Sequence, residues 1–418
     1  GLGMRGYASL KRLTRMKGVE VKALCDRYEY PVRRAQDYLK EIGAPPAVEY
    51  FTSDEVWKDL CARDDLDVIY VTTPPWCHAE MAIQAMLAGK HVATEVPAAQ
   101  TMTDCWRLVD ASEKMGKHCF ILENCCYDFF EAMTMQMAQQ GFFGEIVHGE
   151  GAYYHYQTDE LRAQPEPPFD QQANPYYRVR MRAAKGNIYP THGFGPIAKA
   201  MNLNTGDRVE YMSSVETNDF IFGGMIKEMA EKTNSPYFKQ FVGKQFVGIN
   251  STIMRTANGK TVFVDYNTTY ARPYSRIHQL TGVKGFAMKY PTECICQGSI
   301  TPFSPKKLEE VRKKYTPELH RYIGEMAKQF GGHDGMDFIE DWRFVNCLQN
   351  GLGLDLDVYD AVMWSSVTPL SLWSITHRSN SIDVPDFTGG NWKTNAPIDL
   401  SLRNGGRNTE VSPEAVKS

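Results

Sequence analysis

Tyr189 and His192 stand three residues apart in Gly186-Asn187-Ile188-Tyr189-Pro190-Thr191-His192-Gly193-Phe194-Gly195-Pro196. An imidazole titrates near neutrality, and a phenol tuned by its surroundings can also exchange a proton, so a turn that gathers both tips in one pocket could do acid–base chemistry. Pro190 and the nearby glycines favour such a turn over an uninterrupted helix carrying both. At the start of the chain, Gly1-Leu2-Gly3-Met4-Arg5-Gly6 has glycines spaced for a tight strand-to-helix turn whose backbone N–H groups can approach a pyrophosphate. Asp26 follows about twenty positions later, where a dinucleotide fold needs a carboxylate for ribose hydroxyls. His78, after Thr72-Thr73-Pro74-Pro75-Trp76-Cys77, and Glu95, before Val96 and Pro97, follow apolar runs, where loops face the ligand crevice of an open parallel sheet. His78 reads either as a cofactor or active-site contact or as a helix-starting or packing residue, and Glu95 either as the acid reaching the nicotinamide end or as a structural residue.

Farther along, Gly149 to Tyr156 is dense in polar and aromatic residues. Tyr153 and His155 suit either the floor of a site for sugars or other cyclic ligands or a strand at an oligomer interface. Pro165-Glu166-Pro167-Pro168 breaks regular structure ahead of a basic cluster, Tyr176-Tyr177-Arg178-Val179-Arg180-Met181-Arg182, of which one arginine could clamp a substrate oxygen. Tyr274, within Arg272-Pro273-Tyr274-Ser275-Arg276, is a candidate for the pocket rim. His333 and Asp337 have i, i+4 spacing but no third ligand, which favours a cap, substrate contact or packing role over a metal. The 10 cysteines show no zinc spacing and no disulfide framework, and Cys125-Cys126 and Cys294-x-Cys296 read as packed thiols.

The elements that must hold these residues follow from length and periodicity. A chain of 418 residues is too long for one comfortable core. Residues 1–144 read as a dinucleotide-binding domain, 145–380 as a substrate-binding and catalytic α+β domain, and 381–418 as a C-terminal extension packing on the body. Net charge of -4 and a pI near 6.2 supply no basic field for nucleic acid. No apolar run reaches the roughly eighteen residues of a membrane-spanning helix. Strands are expected over 19–25, 66–71, 91–94 and 119–122, alternating with helices after Gly6 and over 31–42, 79–88, from 103 and over 128–140; this repetition predicts a doubly wound parallel sheet. Beyond Gly144, strands are expected over 211–218, 251–256 and 260–267, the last two joined by an Asn258-Gly259 hairpin turn. Residues 301–320 read as a loop-bearing insertion or a solvated helix, and Phe338, Trp342, Val345 and Leu348 mark a helix after the Gly331-Gly332 pair. A strand is also expected ahead of the opening turn, upstream of Gly1.

In order along the chain, GLGMRG, HVATEVPAA, LENCCY, FGEIVHGEGAYYH, GNIYPTHGFGP, GGHDGMDF, LDLDVYDAVMWSSVTPLS and PDFTGG together resemble the NAD-dependent α-N-acetylgalactosaminidases of glycoside hydrolase family 109, within the glucose-fructose oxidoreductase-like superfamily. The resemblance runs through nearly the whole chain. It implies an α/β architecture: a Rossmann-like parallel sheet, then an α+β domain with a predominantly antiparallel open sheet. It implies NAD as cofactor, with Met4 and Arg5 on the dinucleotide turn, Asp26 on the adenosine ribose and favouring NAD over NADP, and His78, Glu95, Val96 and Asn124 along the cofactor path. Tyr153, Tyr189, His192 and Tyr274 resemble the family's substrate-facing residues, joined by Arg178 or Arg180. The sequence departs from the family where TPPWCH replaces TPW-x-W-H and where Tyr156-Gln157 follows His155. Val96 stands where the wider superfamily often has the lysine of Glu-Lys-Pro, which argues against ordinary alcohol dehydrogenation.

The chemistry so implied is cleavage of terminal α-N-acetylgalactosamine by transient oxidation at sugar C3, elimination across C1–C2, addition of water and re-reduction. Tyr189 and His192 are its proton-transfer pair, with roles that could be exchanged, and neither a metal nor paired carboxylates are required. The competing readings are a pyranose or inositol dehydrogenase that releases an oxidised sugar and a nonenzymatic NAD sensor. The expected partner is the terminal sugar of a glycan or glycoconjugate, with homo-oligomerisation possible through the second-domain sheet. Glycan chemistry favours an extracytoplasmic or periplasmic location, while a cytoplasmic one stays open because targeting residues would lie ahead of Gly1.

Overall fold

A computed structural model describes residues 1–163, 177–402 and 409–412; the Pro165–Pro168 break, Tyr176 and parts of the C-terminal extension lie outside the described residues. The first half is built from short parallel strands: β1 (Ala23–Cys25) pairs with β2 (Val48–Tyr50), and β3 (Val68–Val71), β4 (His91–Thr94) and β5 (Cys119–Ile121) form a second group. The turn at Gly1–Gly3 ties the groups together. Leu2 N–H donates to Asp26 Oδ2 just beyond β1 at 2.6 Å, and Thr72 Oγ1, just beyond β3, donates to the Gly1 carbonyl at 2.6 Å. The helix Met4–Leu13 leaves this turn directly.

The expected strand over 19–25 is paired only at Ala23–Cys25, because its partner β2 is equally short. The helix expected from Ala79 begins at Pro75, since proline's missing N–H costs nothing in a first helical turn. Trp76, Cys77 and His78 therefore belong to a helix rather than to the preceding loop.

The second half carries an eight-stranded sheet of β6 (Ile146–Tyr154), β7 (Val209–Glu216), β8 (Asn250–Thr256), β9 (Thr261–Asn267), β10 (Gln279–Gly282), β11 (Gly285–Met288), β12 (Cys294–Gln297) and β13 (Ile382–Asp383), in the spatial order β12-β11-β10-β6-β9-β8-β7-β13. β6 and β9 run parallel and the remaining neighbours antiparallel, so the sheet is mixed but mostly antiparallel. The β8–β9 hairpin turns at Asn258-Gly259, where Gly259 has φ of 83°. Residues 301–320 contain not one element but the helix Pro305–Tyr315 and the start of a second, Glu318–Phe330; Ser304 accepts the Lys307 N–H as an N-cap, and Pro317 flanks the break.

Two helices join the halves. Met336–Asn350 is buried along most of its length, and Val358–Thr376 packs beside β5 and β7, bringing Trp342 and Trp364 into the same core. Among the described residues of the C-terminal extension, β13 edges the large sheet and the Thr409 carbonyl accepts the Trp342 indole N–H at 2.9 Å. No helix among the described residues is long and apolar enough to cross a membrane.

Candidate active site

The opening turn is shaped for close approach. A Cβ on Gly6 would lie 2.0 Å from the Gly1 carbonyl oxygen, so only glycine lets the helix start fold back this tightly. No side chain caps the first turn of Met4–Leu13 and no acidic residue lies in it, which leaves a helix N-terminus suited to an anion. Met4 is 64% exposed there. Arg5 donates through Nε to Glu95 Oε1 at 2.7 Å and through Nη1 to Asp337 Oδ2 at 2.8 Å. The Asn124 amide donates to Asp337 Oδ1 at 2.5 Å, and Val96 is buried beside Glu95. Asp26, Glu95 and Asn124 thus lie just beyond the carboxyl ends of β1, β4 and β5, with Arg5 of the opening helix bonded to Glu95. These residues fit a dinucleotide: an open helix start for the pyrophosphate, a carboxylate beyond β1 for the ribose and a polar path toward β5.

His78 sits differently from a ligand contact. Both of its ring nitrogens face backbone carbonyls, Nδ1 that of Pro97 at 2.8 Å and Nε2 that of Thr73 at 2.6 Å, so the buried imidazole ties the loop after β3 to the loop after β4. Burial first of all holds its pKa below the ordinary value, against the pull of the two carbonyls.

Tyr189 and His192 are brought to β6 by the break read from Pro190. Pro190 caps the helix Thr191–Ala200, Tyr189 precedes it and His192 lies in its first turn. That helix lies backbone to backbone on β6: a Cβ on Gly193 would be 2.5 Å from Ala152 N, and one on Gly151 would be 2.0 Å from the Gly193 carbonyl. The close approach sets His192 against Tyr153, with ring centroids 5.2 Å apart, and Tyr189 4.9 Å from Tyr153 and 5.0 Å from His192. His155 accepts from or donates to Tyr153 Oη at 2.8 Å, and Tyr274 stands edge-on to His155 at 5.3 Å. Arg276 Nη1 donates to Tyr274 Oη at 2.9 Å while its Nε and Nη2 bind the buried Glu131.

His192 Nδ1 lies 2.7 Å from Glu123 Oε1 and 2.9 Å from Oε2. Glu123 is fully buried at the end of β5; burial alone would raise its pKa, but the imidazole's charge and hydrogen bond outweigh it and hold the carboxyl low. A carboxylate at Nδ1 fixes the tautomer with the proton there and leaves Nε2 as the basic nitrogen. The phenols are tuned the other way: burial, followed by Tyr153 and Glu95, pushes Tyr189 well above its ordinary value, and burial likewise raises Tyr153. The cluster therefore sets one oriented imidazole among phenols that stay neutral at neutral pH and can donate. Glu123, Cys125 and His192 bring donor atoms within 4.8 Å of one another, yet the carboxylate is engaged by His192 and burial keeps the Cys125 thiol protonated, so the group reads as a hydrogen-bonded set rather than a metal centre.

Of the candidate arginines, Arg178 lines a small cavity with Tyr153, Gln157, Tyr189 and Tyr266 and pairs with Glu160 at 3.0 Å. Arg180 is exposed, its guanidinium 3.9 Å over the Trp76 ring. The role of Glu123 and the contacts of Asp337 with Arg5 and Asn124 were not anticipated, whereas the His333–Asp337 pairing read from their spacing is present, Nδ1 lying 3.0 Å from Oδ2. Glu123 adjoins Asn124 in the loop after β5, and its position at a strand's carboxyl end was the available signal.

The chain matches the family model described as glycosyl hydrolase 109, C-terminal domain, over residues 127–394, and that of the oxidoreductase family, NAD-binding Rossmann fold, over residues 1–122. It is 42% identical to a protein of Bacteroides fragilis named alpha-N-acetylgalactosaminidase, the match covering 94% of this chain and 92% of that one. It is 40% identical to glycosyl hydrolase family 109 protein 1 of Bacteroides thetaiotaomicron, over 94% and 84% of the two chains. Among solved structures, scyllo-inositol dehydrogenase of Lactobacillus casei with bound NAD(H) and scyllo-inositol superposes with a TM-score of 0.62 at 14% identity, over 92% of this chain and 97% of that one. Levoglucosan dehydrogenase in complex with NADH and levoglucosan gives 0.62 at 17% identity, over 92% and 98%. At such identities the structural likeness establishes the fold alone.

Proposed function

The chain belongs to glycosyl hydrolase family 109, and we propose that it hydrolyses terminal α-linked N-acetylgalactosamine with a recycled NAD+ held by its Rossmann domain. The observation that carries this reading is the Glu123–His192 pair set among Tyr153, Tyr189 and Tyr274, an oriented base within an aromatic floor suited to a sugar ring. NAD+ supplies, when bound, a reversible hydride acceptor for sugar C3, which makes the C2 hydrogen acidic, lets the C1 group leave by elimination and permits re-reduction after water adds, with no net redox change.

The chain's own residues then have distinct tasks. Met4, Arg5, Asp26, Glu95, Val96 and Asn124 hold the dinucleotide, and His78 braces the loops that present it. His192, oriented by Glu123, takes the C2 proton at Nε2 and returns one when water has added. Tyr189, a neutral phenol, donates a hydrogen bond to the sugar oxygen that gathers negative charge as that proton leaves. Tyr153 and Tyr274 bear on the faces and edge of the ring, and Arg178, which lines the cavity, is favoured over Arg180 as the arginine that binds a substrate oxygen.

An anomer-resolved screen of aryl and natural α- and β-N-acetylhexosaminides, with bound cofactor quantified in parallel, tests the proposal. Cleavage of the α-N-acetylgalactosaminide without NADH accumulation is the expected result. Failure to cleave any such glycoside despite bound NAD overturns it, and stoichiometric NADH formation with free sugar points to a dehydrogenase.

A further inference from the structure

Asp337 is a hub that the proposed chemistry does not use. It opens the buried helix Met336–Asn350, is 2% exposed, and lies 332 positions from Arg5 and 213 from Asn124 in sequence. Its Oδ2 accepts from Arg5 Nη1 at 2.8 Å and lies 3.7 Å from Arg12 Nη1; its Oδ1 accepts from Asn124 Nδ2 at 2.5 Å; and His333 Nδ1 is 3.0 Å from Oδ2. Burial would raise its pKa, but His333, Arg5 and Arg12 together hold it far below the ordinary carboxylate range, so it is an anion throughout the working pH range.

The backbone that delivers this carboxylate is unusual. Gly331, Gly332, His333, Asp334 and Gly335 all have positive φ, and two of them are not glycine. Left-handed backbone at non-glycine residues costs free energy and persists where the surroundings impose it. Gly332 also approaches Asp337 closely, since a Cβ there would lie 2.8 Å from the Asp337 side chain.

Arg5 is thereby stretched between Glu95, from the loop after β4, and Asp337, from a helix of the second half of the chain. We infer that Asp337 is a positioning residue for the dinucleotide: it fixes Arg5 on the opening turn and Asn124 beyond β5, and so slows release of the cofactor. The inference rests on the assignment of Arg5 and Asn124 to the cofactor path. It has a functional rationale, because a redox cofactor restored in every turnover needs to stay on the protein rather than exchange with a pool.

The test uses the purified full-length chain loaded with radiolabelled NAD+ and chased with excess unlabelled NAD+, the readout being the dissociation rate, with folding checked by circular dichroism. Asp337→Asn keeps an oxygen for Asn124 but removes the charge that holds Arg5, and is expected to speed release at least tenfold. In an Arg5→Met background the same substitution is expected to change the rate less than twofold, because residues acting through one another are not additive. Arg5→Lys keeps the charge but loses the fork that spans two carboxylates, and is expected to speed release to a similar extent, so the question stays decidable if Asp337→Asn does not fold. Wild-type release rates in folded Asp337→Asn or in Arg5→Lys, or effects that multiply in the double variant, overturn the inference. Wild-type protein that retains no NAD+ overturns the underlying cofactor assignment, a result distinguishable from the others because it precedes any substitution.

Discussion

His192 Nδ1 meets both carboxylate oxygens of Glu123, at 2.7 and 2.9 Å, across 69 positions of sequence. One residue comes from the loop after β5 in the nucleotide-binding half and the other from the helix that lies on β6 of the large sheet. The pair is therefore assembled only when both halves are folded against each other.

Glu123→Gln is expected to lower kcat by roughly 10² to 10⁴ with a smaller change in KM. A glutamine amide can turn its NH2 toward Nδ1 and so favour the tautomer with the proton on Nε2, which cannot accept one. Steady-state kinetics on an aryl α-N-acetylgalactosaminide check this, and an unchanged kcat removes Glu123 from the machinery.

Tyr189→Phe is expected to slow exchange of the C2 hydrogen with solvent as well as hydrolysis, by about 10² or more, because a phenylalanine cannot stabilise the oxygen on which charge develops. Exchange followed by NMR at the wild-type rate would withdraw the role assigned to this phenol.

Gly193→Ala places a methyl group 2.5 Å from the Ala152 backbone nitrogen, where neither partner can swing aside. The helix must lift from β6, at a cost of about 1–3 kcal/mol, and His192 moves with it. A lower melting temperature together with a lower kcat is expected, and a variant matching wild type in both contradicts the packing argument.

Acid stability is expected to depend on Asp128. Burial opposes its ionisation, but Lys289 and Arg276 outweigh burial and bring its pKa down to about 2. A carboxyl lowered on folding contributes stability that is fully present above its unfolded pKa of about 4 and lost as pH falls toward the folded value, here about 2 kcal/mol. In chemical denaturation, the stability gap between wild type and Asp128→Asn should narrow from about pH 6 to about pH 2; a gap constant over that range refutes the assignment.

Much of the scaffold was legible locally. The strand His91–Thr94, the β8–β9 hairpin and the helix carrying Phe338, Trp342 and Val345 lie where period and turn residues place them. Pro190 correctly separated Tyr189 from the helix that holds His192. The partners of these residues were not legible, since Glu123 meets His192 and Asp337 meets Arg5 through tertiary packing that leaves no periodic trace. His78 shows the converse: its place near a strand end was readable, but its commitment to the Thr73 and Pro97 carbonyls depends on the helix beginning at Pro75.

The most direct test of a recycled cofactor is hydrolysis in D2O, with the released sugar analysed by mass spectrometry and NMR and NADH followed by absorbance. Removal and return of the C2 proton by His192 predicts deuterium at C2 of the released N-acetylgalactosamine and no accumulation of NADH. Cleavage that leaves the C2 hydrogen of the substrate in the product would contradict the account.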